Sequence, residues 1–245
     1  LMSVNILAQD TAVQKKEKIK TGWTLGTLPV IAYSSDLGLK YGWLVNFYDF
    51  GSGKIYPKYY HSIYLETSFT TKGGATYQLQ LDSRKLIPGW RTMIELSSMT
   101  EKGLDFFGFN GYRSWYNRGF IDESDPSYIS RVFYRLQRKM YRFNATFYKD
   151  LPYHLRWVGG IEFSRININT VDIKNLNKGL SGSNALPDTT LLYDKYVEWG
   201  VIPYNERFGG STTLLKTGLI FDTRDVEVNP MKGIWEEVQL LAAPP

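Results

Sequence analysis

Cysteine is absent from the 245-residue chain, which removes disulfides, thiolate metal sites and thiol nucleophiles at once. It also excludes a lipid-bearing N-terminal cysteine within these residues. Histidine occurs only as His61 and His154, so any acid–base or metal chemistry would rest on very few imidazoles. No apolar run approaches the roughly 18 residues that a spanning helix needs. A large excess of one charge is absent too: 29 Lys and Arg stand against 24 Asp and Glu, a net charge of +5. The one dense basic run is Lys15, Lys16, Lys18 and Lys20, read as a solvated leader, with contact to anionic lipid headgroups as the sharper alternative. A nucleic-acid binder would carry a basic face or helix, and none is visible. The glycines of Gly179-Leu180-Ser181-Gly182 lie in a polar stretch without a preceding strand and following helix, so they make no phosphate cradle. No metal-ligand cluster stands out, and no cofactor is expected.

Aromatic residues, by contrast, are plentiful at 16%, with 18 Tyr, 13 Phe and 7 Trp. Aromatics favour strands and form the interfacial girdles of outer-membrane barrels. The mean hydropathy of −0.30 does not argue against a membrane barrel, because such strands alternate lipid-facing apolar and lumen-facing polar residues. Leu1, Met2, Val4, Ile6 and Leu7 followed by Ala8 read as the tail of a secretory signal. The expected organisation is therefore a signal remnant over residues 1–9, a periplasmic leader over 10–36, and part of a barrel over 37–245.

From about Leu37 the chain falls into alternating segments of roughly ten residues, the length of a tilted membrane strand. A first strand is expected over Gly38 to Phe50, with Leu39, Tyr41, Trp43, Val45 and Phe47 on one face. Ser62 to Thr70 places Ile63, Leu65, Thr67 and Phe69 opposite Tyr64, Glu66 and Ser68. Lys72-Gly73-Gly74 then supplies a turn. Tyr77, Leu79 and Leu81 alternate with Gln78, Gln80 and Asp82, and after Pro88-Gly89 the segment Trp90 to Ser98 completes a meander. Leu104 to Ser127 reads as a long connection. Tyr128 to Lys149 is either one long strand or a hairpin near Lys139. Leu155 to Phe163 is another strand, whose phase slips after Ser164, so that a bulge is expected there to keep Ile166 and Ile168 on the apolar face. Asp172 to Gly210 is a polar insertion with a short helix over Thr189 to Gly200. Thr212 to Phe221 and Ile234 to Leu241 are the last strands.

The polar faces carry charges of both signs: Glu66, Asp82, Arg91, Glu95, Arg131, Arg135, Arg142, Arg156 and Glu162. They suit the lumen of a wide barrel better than the packed interior of a narrow one. A soluble lipocalin-like barrel alternates as well, with the faces reversed. The expected fold is all-β, an antiparallel transmembrane β-barrel represented by eight or nine strands of about sixteen, because an open edge is not tolerated in hydrocarbon.

Residues 219–233, Leu-Ile-Phe-Asp-Thr-Arg-Asp-Val-Glu-Val-Asn-Pro-Met-Lys-Gly, resemble the strand–turn–strand signature of the BamA/TamA-type bacterial surface antigen family. The matching positions are Phe221, Asp222, Arg224, Asp225, Pro230 and Gly233. Tyr41-Gly42, Asn46-Phe47-Tyr48 and Tyr60-His61-Ser62-Ile63-Tyr64 resemble the opening strands of short Bacteroidetes members. The motif reads physically as a structural turn rather than a reaction site. Aspartates accept turn N–H groups, Arg224 pairs with one of them, Pro230 fixes φ and Gly233 takes a left-handed conformation. Family members that insert proteins normally carry POTRA domains ahead of the barrel, and the stretch between Ala8 and Gly38 is too short for one. The family's Val-Arg-Gly-Phe/Tyr loop is expected beyond Pro245.

The resemblance implies an outer-membrane protein of a Gram-negative bacterium that assists protein assembly or translocation. Its partners would be outer-membrane lipid or lipopolysaccharide and other envelope proteins, with no nucleic acid and no small-molecule cofactor. A passive pore is the first alternative and a barrel enzyme a weaker one. The weakness lies in geometry, since His61 and Ser62 are strand neighbours on opposite faces, and His154 follows Pro152-Tyr153 in a turn.

Overall fold

The computed structural model describes residues 18–34, 37–109, 116–227 and 229–244. The residues read as a signal remnant, together with Lys15 and Lys16, lie outside that set. Among the described residues, nine strands follow one another as a single antiparallel meander: β1 (Trp23–Ser34), β2 (Gly38–Asp49), β3 (His61–Thr70), β4 (Ala75–Ser83), β5 (Arg91–Asp105), β6 (Arg135–Asp150), β7 (Leu155–Thr170), β8 (Gly209–Asp222) and β9 (Trp235–Ala242). Each strand pairs with its neighbour in sequence, and β1 and β9 form the two edges. Residues on the β2–β3 loop, the β6–β7 turn and the β8–β9 turn line one cavity with Arg84 and Arg91. Segments several strands apart therefore converge, and the sheet curls into an incomplete barrel wall.

Register assigns the two faces. On one, β-pairing aligns Val45, Leu65, Leu79, Leu96, Phe143 and Phe163 in a single row. The adjacent row runs Phe47, Ile63, Leu81, Ile94, Ala145, Ile161 and Leu215. The other face aligns Asn46, Tyr64, Gln80, Glu95, Asn144 and Glu162. The apolar face is the uncovered one: Trp43 is 62% exposed, Leu65 40% and Leu215 48%. On the polar face Ser68 and Asp82 are buried. The sheet is thus turned inside out relative to a water-soluble barrel, which would hide its apolar row.

Two expectations about strands need correction. The residues assigned to a leader already pair as β1, from Trp23 onward. Both faces of β1 are apolar or small, with Leu25, Ile31 and Tyr33 on one and Gly26, Leu28, Val30 and Ala32 on the other, so alternation gave no signal. Pro29 is accommodated because β1 is an edge, where a missing N–H is tolerated. The bulge expected after Ser164 does not exist. β7 pairs without a break on both sides, which turns Ile166 and Ile168 toward the inner face. The irregularity lies instead between Glu101 and Leu104 of β5. Tyr128 to Lys149 leads into one strand, β6, which runs for sixteen residues to Asp150 with no hairpin at Lys139.

The long connections lie at one end of the wall, between β5 and β6 and between β7 and β8. They build a cap from a 3-10 turn (Arg118–Ile121), helix α1 (Ile173–Leu176) and helix α2 (Leu192–Glu198). Its core joins Phe133, Tyr134 and Leu192 in one cluster and Leu136, Tyr193 and Ile202 in another. Leu104 and Ile168, from the inner face of β5 and β7, pack against the second cluster. The helix expected over Thr189 to Gly200 is shorter but in place. None of the described helices is long and apolar enough to cross a membrane.

Candidate functional site: the inner mouth and the β8–β9 turn

The inner face is an ionic network in which cations meet partners. Lys40 Nζ lies 3.0 Å from Glu66. Glu66 also accepts hydrogen bonds from Tyr64 and Ser68, at 2.7 and 3.0 Å. Arg138 pairs with Glu101 at 2.7 Å and Arg142 with Glu162 at 3.5 Å. Lys216 donates to Asn144 across three strands. Of the charges expected on this face, two are elsewhere. Arg131 lies in the cap, facing solvent near Glu123. Arg135 starts β6 on the outer face, paired with Asp105.

Away from the cap, the network closes around one carboxylate. Asp82 takes a two-point contact from Arg91, with Nε at 2.9 Å and Nη2 at 2.7 Å, and accepts the hydroxyl of Tyr59 at 2.7 Å. The fork geometry makes this the strong form of an arginine–carboxylate pair. Burial and the neighbouring Asp82 push the Tyr59 hydroxyl up to about 12. Beside it, Glu227 from the β8–β9 turn meets three arginines: Arg84 at 3.2 Å, Arg91 at 3.6 Å and Arg156 at 3.4 Å. Burial raises the Glu227 pKa, but the arginines outweigh it, and the carboxyl stays below the usual glutamate range. A cavity of about 770 Å³ lies here, walled by Tyr59, Arg84, Arg91, His154, Arg156 and Glu227 among others.

Each residue of the family-like motif has a place in this turn. Arg224 grips Asp222 with Nε and Nη2, both at 2.8 Å, and its backbone N–H donates to the same carboxylate at 3.1 Å. Arg224 Nη1 also donates to the Glu227 carbonyl, so the motif arginine shapes the segment that delivers Glu227. Asp225 Oδ1 accepts the N–H groups of Val226, Met231 and Lys232 at 2.9, 3.1 and 3.3 Å, which ties the two arms of the turn together. Gly233 has φ of +104°, and a Cβ there would collide with the Thr223 carbonyl and the Arg224 backbone. Phe221 points to the outer face, and Pro230 is exposed in the turn. Sequence reasoning missed Glu227 and its three arginines. They come from the β4–β5, β5, β7 and β8–β9 segments, and no spacing within one segment announces the meeting.

His61 has a partner other than the adjacent Ser62: its Nδ1 lies 2.9 Å from Ser83 Oγ on β4. Ser83 is fully buried and accepts N–H groups of Lys85 and Leu86. Its hydroxyl therefore organises the start of the β4–β5 turn. Trp23 stacks on the imidazole at 6.4 Å. His154, with Tyr153, forms a tight turn in which both residues have positive φ. Among the described residues, no group of three His, Asp or Glu side chains is placed to hold a metal ion.

No protein-family model matches the chain, and no curated protein sequence matches it. Among solved structures, it is similar to BamA from Haemophilus ducreyi lacking POTRA domains 1–3, with 13% identity and a TM-score of 0.45. The match covers 92% of this chain and 35% of that one, so the chain spans about a third of the length of that protein.

Proposed function

We propose that this chain is wall of a Gram-negative outer-membrane β-barrel of the BamA/TamA-like kind, which assists protein assembly or translocation at that membrane and catalyses no reaction of its own. The observation that carries the membrane reading is the exposed apolar face. Rows of Leu, Ile, Val, Phe and Trp cross nine strands uncovered, far beyond the patch a soluble monomer leaves to water. A bilayer is the solvent such a face suits, and the ion-paired opposite face suits an aqueous lumen. Aromatic residues frame the band. Tyr41, Phe69 and Tyr77 pack in sequence near the cap end, and Trp90 meets Trp157 near the other.

The cap over the inner face and the Glu227 turn at the opposite mouth favour a mostly closed lumen over a passive pore. The burial of Ser83 beside His61 supports a role without catalysis. The assembly role rests on the resemblance of the β8–β9 turn to the family signature.

The test compares two charge insertions one residue apart. Leu79→Arg puts a cation in the middle of the apolar band and should cost about 3 kcal/mol of stability in a bilayer. Gln78→Arg, on the inner face, should cost far less. In a soluble barrel with the same faces exposed, Leu79→Arg would be nearly neutral, and equal tolerance of both variants in vesicles would end the membrane reading. Planar-bilayer recordings should show a barrel that is mostly closed.

A further inference from the structure

Several cations of this wall have a carboxylate within ion-pair distance: Lys40, Arg91, Arg138, Arg142 and Arg156 on the inner face and Arg135 on the outer, while the inner-face Lys216 donates to Asn144. At the cap end of the outer face stand Lys102, Lys139 and Arg165, and among the described residues none of them has a carboxylate partner. All three are exposed and occupy three consecutive strands, β5, β6 and β7. Lys139 is aligned with Thr100 on one side and Asn167 on the other, which puts Arg165 on its diagonal, two residues along. Same-face residues so related are close enough to act on one ligand. Lys102 stands two residues beyond Thr100, at the bulge, and leans over the β3–β4 turn beside Gly73.

Their surroundings fit an interface between water and hydrocarbon. Lys139 Nζ lies 5.1 Å from the centre of the Tyr141 ring, and below Tyr141 the outer face becomes Phe143 and Phe163. Arg165 donates its Nε to Asn167, at 3.2 Å, and is otherwise exposed. The patch is at the end that carries the long connections, the extracellular end in barrels of this kind. Exposed cations beside an apolar band attract anionic lipid headgroups, by roughly a factor of five each.

We propose that Lys102, Lys139 and Arg165 form a binding patch for the phosphate groups of an outer-leaflet phosphorylated glycolipid. The inference rests on the membrane reading above, and it names the lipid chemistry and the three residues that recognise it. The lipid's acyl chains cover the Leu96–Phe143–Phe163 row while its phosphates bridge β5 to β7.

The experiment uses the full chain inserted into vesicles of neutral phospholipid. Each preparation is doped with a bisphosphorylated glycolipid or with the same glycolipid after enzymatic dephosphorylation. Wild type is compared with K102Q/K139Q/R165Q, and with K20Q/K54Q/K232Q, which removes the same charge from exposed sites away from the patch. Insertion is scored by protease protection of the strands, and lipid retention by mass spectrometry of the re-extracted protein. The wild type should retain the phosphorylated lipid over the dephosphorylated one by about a hundredfold, at roughly a factor of five per cation. The patch variant should insert normally and lose at least about tenfold of that preference, while the control keeps it. Equal preference in all three proteins would overturn the proposal, as would its loss in the control. Displacement of the lipid by millimolar inorganic phosphate alone would assign the patch to free anions and overturn it too. Failure of the wild type to insert would instead remove the membrane reading, and this inference with it.

Discussion

Replacing Asp82 by Asn tests whether the inner mouth is held by charge. Asn keeps the volume but gives up the charge that Arg91 grips at two points and that Tyr59 also donates to. The Asp82 side chain is 7% exposed and that of Arg91 is 21%, so the exchange leaves a largely buried guanidinium short of its partner. Removing one member of such a pair costs about 3–5 kcal/mol. The lower end applies here, because Glu227 remains 3.6 Å from Arg91. About 3 kcal/mol corresponds to more than a hundredfold in the folded-to-unfolded ratio. The assay is a urea titration of the full chain refolded in detergent, followed by tryptophan fluorescence, with Trp90 and Trp157 as reporters close to the site. Arg91→Met alone strands the aspartate and should cost a similar amount. The double variant should cost clearly less than the sum of the two, with a coupling of about 2 kcal/mol. A loss below about 1 kcal/mol for D82N, or strict additivity, would refute the claim that the pair locks the mouth.

Tyr59 gives an alkaline signature. Its folded pKa is raised to about 12 from 10.0, so its contribution to stability is complete below pH 10 and is lost as pH rises toward 12. A stability profile for Tyr59→Phe should lack that part of the wild-type decline, and identical profiles would place the hydroxyl in solvent. At the β6–β7 turn, Tyr153 and His154 have φ of 63° and 60°, and the Pro152 carbonyl accepts the Leu155 N–H. Two positive φ values in succession favour glycine at the second position. His154→Gly should therefore stabilise the protein by about 0.5–1 kcal/mol in the same titration, and a destabilised variant would assign the imidazole a role in the mouth.

Much of the wall is legible in the chain, because strands with one apolar and one polar face alternate residue by residue. β3, β4 and most of β7 were legible for that reason. β1 was not, since at an edge with apolar or small residues on both faces alternation leaves no mark. Ile166 and Ile168 misled in the opposite way. Their apolar character suggests the outer face, whereas both turn inward and Ile168 packs against the base of the cap. The Asp222–Arg224–Asp225 turn was legible because its partners are neighbours in sequence. The Glu227 clasp was not, since its three arginines come from segments spread over more than seventy residues. The partnership of His61 with Ser83 needed the β3–β4 register, which only the pairing of the strands supplies.

The bulge in β5 marks a change of packing along the wall. Three residues of β5 there span what two residues span on β6, so Leu104 turns to the same side as Leu136 and joins the cluster with Tyr193 and Ile202. Below that point the concave side is polar and ion-paired and the convex side apolar and uncovered; above it, the concave side holds an apolar core. One continuous ribbon thus reverses the character of its inner face along its length. The cap is anchored to the wall through Leu104, Leu136 and Ile168.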